Sequence, residues 1–208
     1  PDALRIDSLM SFGDLEAAVA AASPGDIIEI PNDITLEATL SLSKSLTFKA
    51  VSGAPVTLTS QTGNRHMEIA GNGIETVFEN VILAGGDVSG GIRLSGSDMT
   101  LRNASITRCY SPTVKTADGK GFLDAGGAVY IETGSSVTIV GGSFTYNKAI
   151  GAGGAVFVQD IASLNIGGNP LFSYNEATAD RLKSATGSSD YSYCYGGAIC
   201  CFGPTTTT

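Results

Sequence analysis

The chain has 208 residues, of which 27 are glycine, about twice ordinary usage, and only 15% are charged against about 25% for an average soluble domain. Twelve Lys and Arg against twenty Asp and Glu leave a net charge of −8. That balance argues against nucleic acid or an anionic membrane surface as partner, because both demand clustered basic residues. Hydrophobic residues at 42% are enough for a core and exclude wholesale disorder. No run of 18 apolar residues occurs, so no transmembrane helix is expected.

In chain order, residues 11–22, SFGDLEAAVAAA, predict the only helix, with Ser11 or Asp14 as N-cap and Pro24-Gly25 as its stop. The apolar stretch 15–22 is too short and lacks the basic start of a secretion signal. Short β-rich runs follow at 26–30, 45–50, 55–60, 66–70, 76–83, 91–96 and 99–106, separated by Gly, Asn, Ser and Asp, which points to an all-β fold. Residues 1–43 carry eight carboxylates (Asp2, Asp7, Asp14, Glu16, Asp26, Glu29, Asp33, Glu37) and one base, Arg5. This acidic end is either a polar cap that blocks end-on strand pairing, or a surface for a basic neighbour or Ca²⁺.

An internal repeat organises the second half. Gly-Gly-Ala occurs at Gly126-Gly127-Ala128, Gly153-Gly154-Ala155 and Gly196-Gly197-Ala198, each followed by an apolar strand. Phe-x-x-Asn precedes the second and third copies as Phe144 to Asn147 and Phe172 to Asn175, and the first copy has Ile106-Thr-Arg-Cys109 in that slot. The unit is three strands and three turns, and weaker copies run back through 66–83 and 91–106. One such coil cannot bury its inner face, whereas stacked coils bury a continuous core. Val129, Val156 and Ile199 are expected to stack, as are Ile131, Val158 and Cys201, with Phe144 on Phe172 and Asn147 beside Asn175 at a corner.

Gly-Gly-Ala-(Ile/Val) with Phe-x-x-Asn resembles the polymorphic outer-membrane protein repeat, strongly over about 125–200. The opening, LEAAV followed by Pro-Gly-Asp and a strand over 15–30, resembles the start of the wider pectin-lyase-like group. The resemblance implies a right-handed, single-stranded parallel β-helix with a short N-terminal capping helix. Its implied roles are adhesion and surface display. The repeat itself implies a scaffold, with no catalytic residue and no cofactor.

Polysaccharide lyases, hydrolases and epimerases share that fold, and their chemistry needs grouped carboxylates with a basic residue. Glu68, Arg93, Glu132 and Asp160 could meet on an outer face; scattered solubilising charges are the alternative. His66, the single histidine, reads as a surface or turn residue. Between the Phe-x-x-Asn slot and Gly-Gly-Ala, long insertions at 110–125 and 176–195 should leave one corner. The first holds Tyr110 and a charged run at 115–120; the second holds Tyr191, Tyr193 and Tyr195, a composition suited to contact surfaces. Cys200 should point outward and Cys201 inward. A Cys194–Cys200 or a Cys109–Cys194 disulfide, or reduced thiols, all remain open. No C-x-x-C motif suggests a metal site. Asn103-Ala104-Ser105 is a glycosylation sequon, bare if Asn103 faces an inner corner.

The expected organisation is a cap over 1–25, seven or eight rungs over 26–203, and a Pro/Thr-rich tail or linker over 204–208. The expected function is a non-enzymatic, extracellular or cell-surface module for adhesion or scaffolding, contacting a protein or glycan. The alternatives are a polysaccharide-active enzyme and an architectural subunit of a filament or appendage. The rung at Ile199 is expected to be covered by further chain or another subunit, because an open end invites strand pairing.

Overall fold

Ser11 opens the helix α1 (Phe12–Ala21) through a capping box: its hydroxyl accepts the Asp14 N–H, and the Asp14 carboxylate accepts the Ser11 N–H. At the other end Lys44 Nζ donates to the carbonyls of Ala20 and Ala22, placing a cation where the helix carries its unpaired acceptors. The computed structural model describes residues 3–4, 9–61, 63–111, 125–178 and 196–201. Before the helix lies β1 (Ala3–Leu4), paired with Ile27 and Ile28.

Six rungs follow. The first holds β2 (Asp26–Ile30), β3 (Ile34–Leu36) and β4 (Leu40–Leu42), and the second β5 (Leu46–Ala50), β6 (Val56–Ser60) and β7 (Met67–Ala70). The third holds β8 (Glu75–Glu79), β9 (Val81–Ala84) and β10 (Ile92–Ser95), and the fourth β11 (Asp98–Arg102), β12 (Ser105–Thr107) and β13 (Val129–Ile131). The fifth holds β14 (Ser136–Val140), β15 (Ser143–Thr145), the short lateral β16 (Lys148–Ala149) and β17 (Val156–Val158). The sixth holds β18 (Ser163–Gly167), β19 (Leu171–Ser173), the lateral β20 (Glu176–Ala177) and β21 (Ile199–Cys201).

Corresponding strands form three parallel sheets. The first runs β1-β2-β5-β8-β11-β14-β18, the second β3-β6-β9-β12-β15-β19, and the third β4-β7-β10-β13-β17-β21; β16 and β20 make a small fourth ladder. This is a parallel β-helix with an N-terminal helix. Among the described residues it has six rungs where seven or eight were expected. The three-residue β3 and β4 complete a first rung whose pattern is too short to read as two strands.

Alternation builds the core. In β5, Leu46, Phe48 and Ala50 are buried while Thr47 and Lys49 lie half-buried outside. Phe48 stacks on Phe78 at 5.2 Å, and Phe144 on Phe172 at 4.8 Å, close to the spacing between neighbouring strands. Val129, Val156 and Ile199 lie in register, as do Ile131, Val158 and Cys201. Leu15 of α1 is fully buried in the same core. The second glycine of each Gly-Gly-Ala serves close approach. A Cβ on Gly127 would overlap the carbonyls of Gly154 and Lys148, because the lateral ladder crosses directly over this corner.

Candidate functional site

The Phe-x-x-Asn slot has three jobs at one corner. Its first residue packs inward, its fourth satisfies the backbone, and its third projects outward. Asn175 Nδ2 donates to the Phe144 carbonyl at 2.8 Å, and Asn147 Nδ2 donates to the Ile106 carbonyl at 2.9 Å. Their Oδ1 atoms accept the backbone N–H groups of Asn147 and Cys109, each at 3.0 Å. One rung earlier Cys109 takes the same slot, and its thiol reaches the carbonyls of Thr107 at 3.5 Å and Leu83 at 3.9 Å.

At the head of this column stands His66. It is fully buried, not on the surface, which corrects the sequence expectation. Its Nε2 meets the carbonyls of Leu58 (3.0 Å) and Ala84 (3.1 Å), so Nε2 carries the proton; Nδ1 accepts the Gly91 N–H at 2.8 Å. Burial, with Arg65 alongside, holds the imidazole down to about 4, so the ring is neutral at pH 7. It is a structural ring closing a gap that the later rungs close with asparagine. Burial likewise pushes the Cys109 thiol up to about 12, leaving it a poor nucleophile.

The third residue of the slot is Arg108, Tyr146 or Tyr174, at φ of 51°, 56° and 53°. Large side chains seldom occupy this left-handed region, which costs about 1–2 kcal/mol for a residue bearing a Cβ. Tyr146 and Tyr174 stack at 4.8 Å yet remain 51% and 74% exposed. The Arg108 guanidinium lies 6.0 Å from the Tyr146 ring centre and 3.5 Å from the Asp87 carboxylate. Beside the column is a half-open cleft of about 210 Å³ bordered by Asp87, Tyr110, Tyr146, Lys148, Tyr174 and Glu176. Lys148 and Glu176 pair across it at 3.4 Å. The sequence signal for this column was available in the x-x of the repeat, where Arg, Tyr and Tyr recur in register.

Both insertions leave from this corner and return to it. Tyr110 pairs with Lys148 and Lys148 with Glu176; on the return side Ala125 pairs with Ala152, and the Gly154 N–H reaches the Gly196 carbonyl. Tyr191, Tyr193, Tyr195 and Cys194 lie outside the described residues, and with Cys194 both disulfide pairings. The 204–208 tail lies outside them too. Cys200 is buried on the outer side against Ala125, Tyr130, Ala152 and Phe157, while Cys201 packs against the main core.

On the outer face of the third sheet Glu68 neighbours Arg93, and Arg93 neighbours Tyr130. Arg93 is engaged by Glu132, through Nε at 2.6 Å and Nη2 at 2.5 Å to one carboxylate oxygen. Asp160 stays outside this ion pair, and its Oδ1 is buried without a hydrogen-bond partner among the described residues. Burial raises the Tyr130 hydroxyl above its usual range, with Glu132 adding to the effect, so it is a neutral phenol at pH 7. The N-terminal carboxylates do local work. Asp14 closes the capping box, Asp26 accepts the Ser23 N–H and Asp33 accepts the Thr57 N–H. Among the described residues no group of three or more His, Cys, Asp or Glu is placed to hold a metal ion. Asn103 is exposed at an outer corner with φ 48°.

Fold and corner together define a parallel β-helix protein with an outward aromatic column. Comparison of the chain with protein-family models, with curated proteins and with solved structures finds no match.

Proposed function

We propose that this protein is a non-enzymatic, extracellular or cell-surface β-helix module for adhesion or scaffolding, which meets a protein or glycan through its lateral corner. One observation carries this reading. Three consecutive rungs hold a large side chain in a strained left-handed conformation at the corner where both insertions emerge. A glycine or asparagine would hold that backbone at lower cost, as Asn80 and Asn103 do at another corner. Retention of Arg and Tyr there is accounted for by what the side chains touch outside the helix.

Inward-facing Ile166, on the last rung among the described residues, is 46% exposed, which supports a second contact by further chain or another subunit. The test uses the Y146N/Y174N double variant on printed arrays of glycans and secreted proteins. The expected result is loss of wild-type array binding with unchanged circular dichroism. Wild-type binding by the variant, or unsaturated products released from a uronate polymer, would overturn the reading.

A further inference from the structure

No outward position of β3, β6, β9, β12, β15 or β19 carries a charge. In register through these strands, one outward row of the second sheet runs Thr35, Thr59, Ala84, Thr107, Thr145 and Ser173. The row beside it holds Thr57, Ser105 and Ser143, interrupted by Ile82 and ended by Leu171. Every one of these side chains is half-exposed or exposed. Asp33, just ahead of β3, stands at the edge of the first rung, where it accepts the Thr57 N–H at 2.7 Å. The other two sheets differ. Glu29, Lys49, Glu79 and Arg102 follow one another along the outside of the first, and Glu68 and Arg93 along the outside of the third.

The uncharged face is also regular and stiff. On its inner side the rings of Phe144 and Phe172 lie 4.8 Å apart and within 12° of parallel. Ordinary sheets turn by about 20–25° per strand, so these rungs step with little twist. The two rows are separated by two residues of strand, about 6.6 Å. Threonine is held to few rotamers by its branched Cβ. Thr107 Oγ1 lies 3.0 Å from Thr145 Oγ1 and donates to the Thr145 carbonyl at 3.1 Å, and Ser143 Oγ donates to Ser105 Oγ at 2.9 Å. The hydroxyls are thus fixed before any partner arrives, which lowers the entropy lost on contact.

A charged group pressed onto a solid must give up hydration that a neutral crystal does not replace. A flat, uncharged net of hydroxyls and methyls is complementary to a crystal of neutral, hydrogen-bonding molecules. The prism faces of hexagonal ice present a rectangular net of oxygens at closely similar intervals. We infer that the outer face of the second sheet binds the surface of ice, with the Thr and Ser hydroxyls taking places in the water net and the methyls lying in its hollows. This inference does not rest on the adhesive reading.

The test is growth of a single ice crystal in a solution of the full chain. The readouts are crystal shape and the gap between melting and growth temperatures. Wild type should facet the crystal and open a gap that widens with concentration. T107K places a cation in the middle of the face and should need about tenfold more protein, or more, for the same gap. T100K places the same cation on the outer side of the first sheet and should match wild type. T59K repeats the test at another rung and decides the matter if T107K does not fold. Round crystals with no gap in wild type, full activity in folded T107K or T59K, or an equal loss in T100K would each overturn the inference. So would wild-type retention on crystalline cellulose that T107K loses, without any effect on ice, which would assign the face to a polysaccharide. A wild-type dimer that T107K separates would assign it to a second copy of the chain and overturn the inference as well.

Discussion

Rungs two to four and rungs five to six satisfy equivalent interior carbonyls with different side chains. Leu58, Leu83, Ile106 and Phe144 lie in one register through the second sheet. Their carbonyls are met by His66, Cys109, Asn147 and Asn175 in turn. The late rungs use an amide that both donates and accepts, so each asparagine ties two rungs. The early rungs use a ring that reaches in from the next corner and a thiol that bonds weakly. The repeat is therefore conserved in geometry where it lapses in residue type, because a buried backbone carbonyl must find a donor whichever side chain supplies it.

The largest break is expected from N147A. The asparagine is fully buried, and its loss strands the Ile106 carbonyl and the Cys109 N–H. At about 1–3 kcal/mol for each stranded group, urea unfolding should show a loss of about 4 kcal/mol. A loss below about 1 kcal/mol would mean that water fills the position.

Acid should act on the early half. His66 is held at about 4 when folded against 6.5 when unfolded. As pH falls below 6.5 the unfolded chain takes the proton first, so stability drops until the folded ring also protonates near pH 4. The drop should total about 3 kcal/mol between those limits, and H66Q should remove it. An unchanged urea midpoint for wild type between pH 7 and pH 4 would contradict the buried neutral ring.

C109A tests the weak member of the column. Its thiol contacts are long, so the cost should be about 1 kcal/mol, well under that of N147A. Equal losses for the two would erase the distinction between amide and thiol.

The smallest effect belongs to the outer corner. Y146N/Y174N gives up the ring stack but relieves two strained conformations, and its net stability change should stay within about 1 kcal/mol. A larger loss would make the tyrosines structural rather than displayed.

Much of the inner geometry was legible. Gly-Gly-Ala and Phe-x-x-Asn recur because stacking puts like residues in register, and Phe144 over Phe172 follows from that rule alone. The run at 26–30 coincides with β2, since its alternation is long enough to show. Three-residue strands such as β3 and β4 fall below the length at which alternation is distinguishable from chance. His66 was misplaced because its partners, Leu58, Ala84 and Gly91, come from three separate segments that only coiling brings together. Arg65 carries no local signal either, since its burial depends on residues such as Ser111, 46 positions away.

The sequence by itself determined the stacked-rung architecture, the capping helix and the common corner of the two insertions. Those follow from periodicity, which any in-register stack must repeat. Tertiary structure alone decided that a lone histidine is a buried neutral ring, that Arg93 is engaged by Glu132, and that Arg65 Nη1 is buried with no hydrogen-bond partner among the described residues. The reason is physical: charge pairing and burial depend on distances between rungs, and a linear pattern does not encode them.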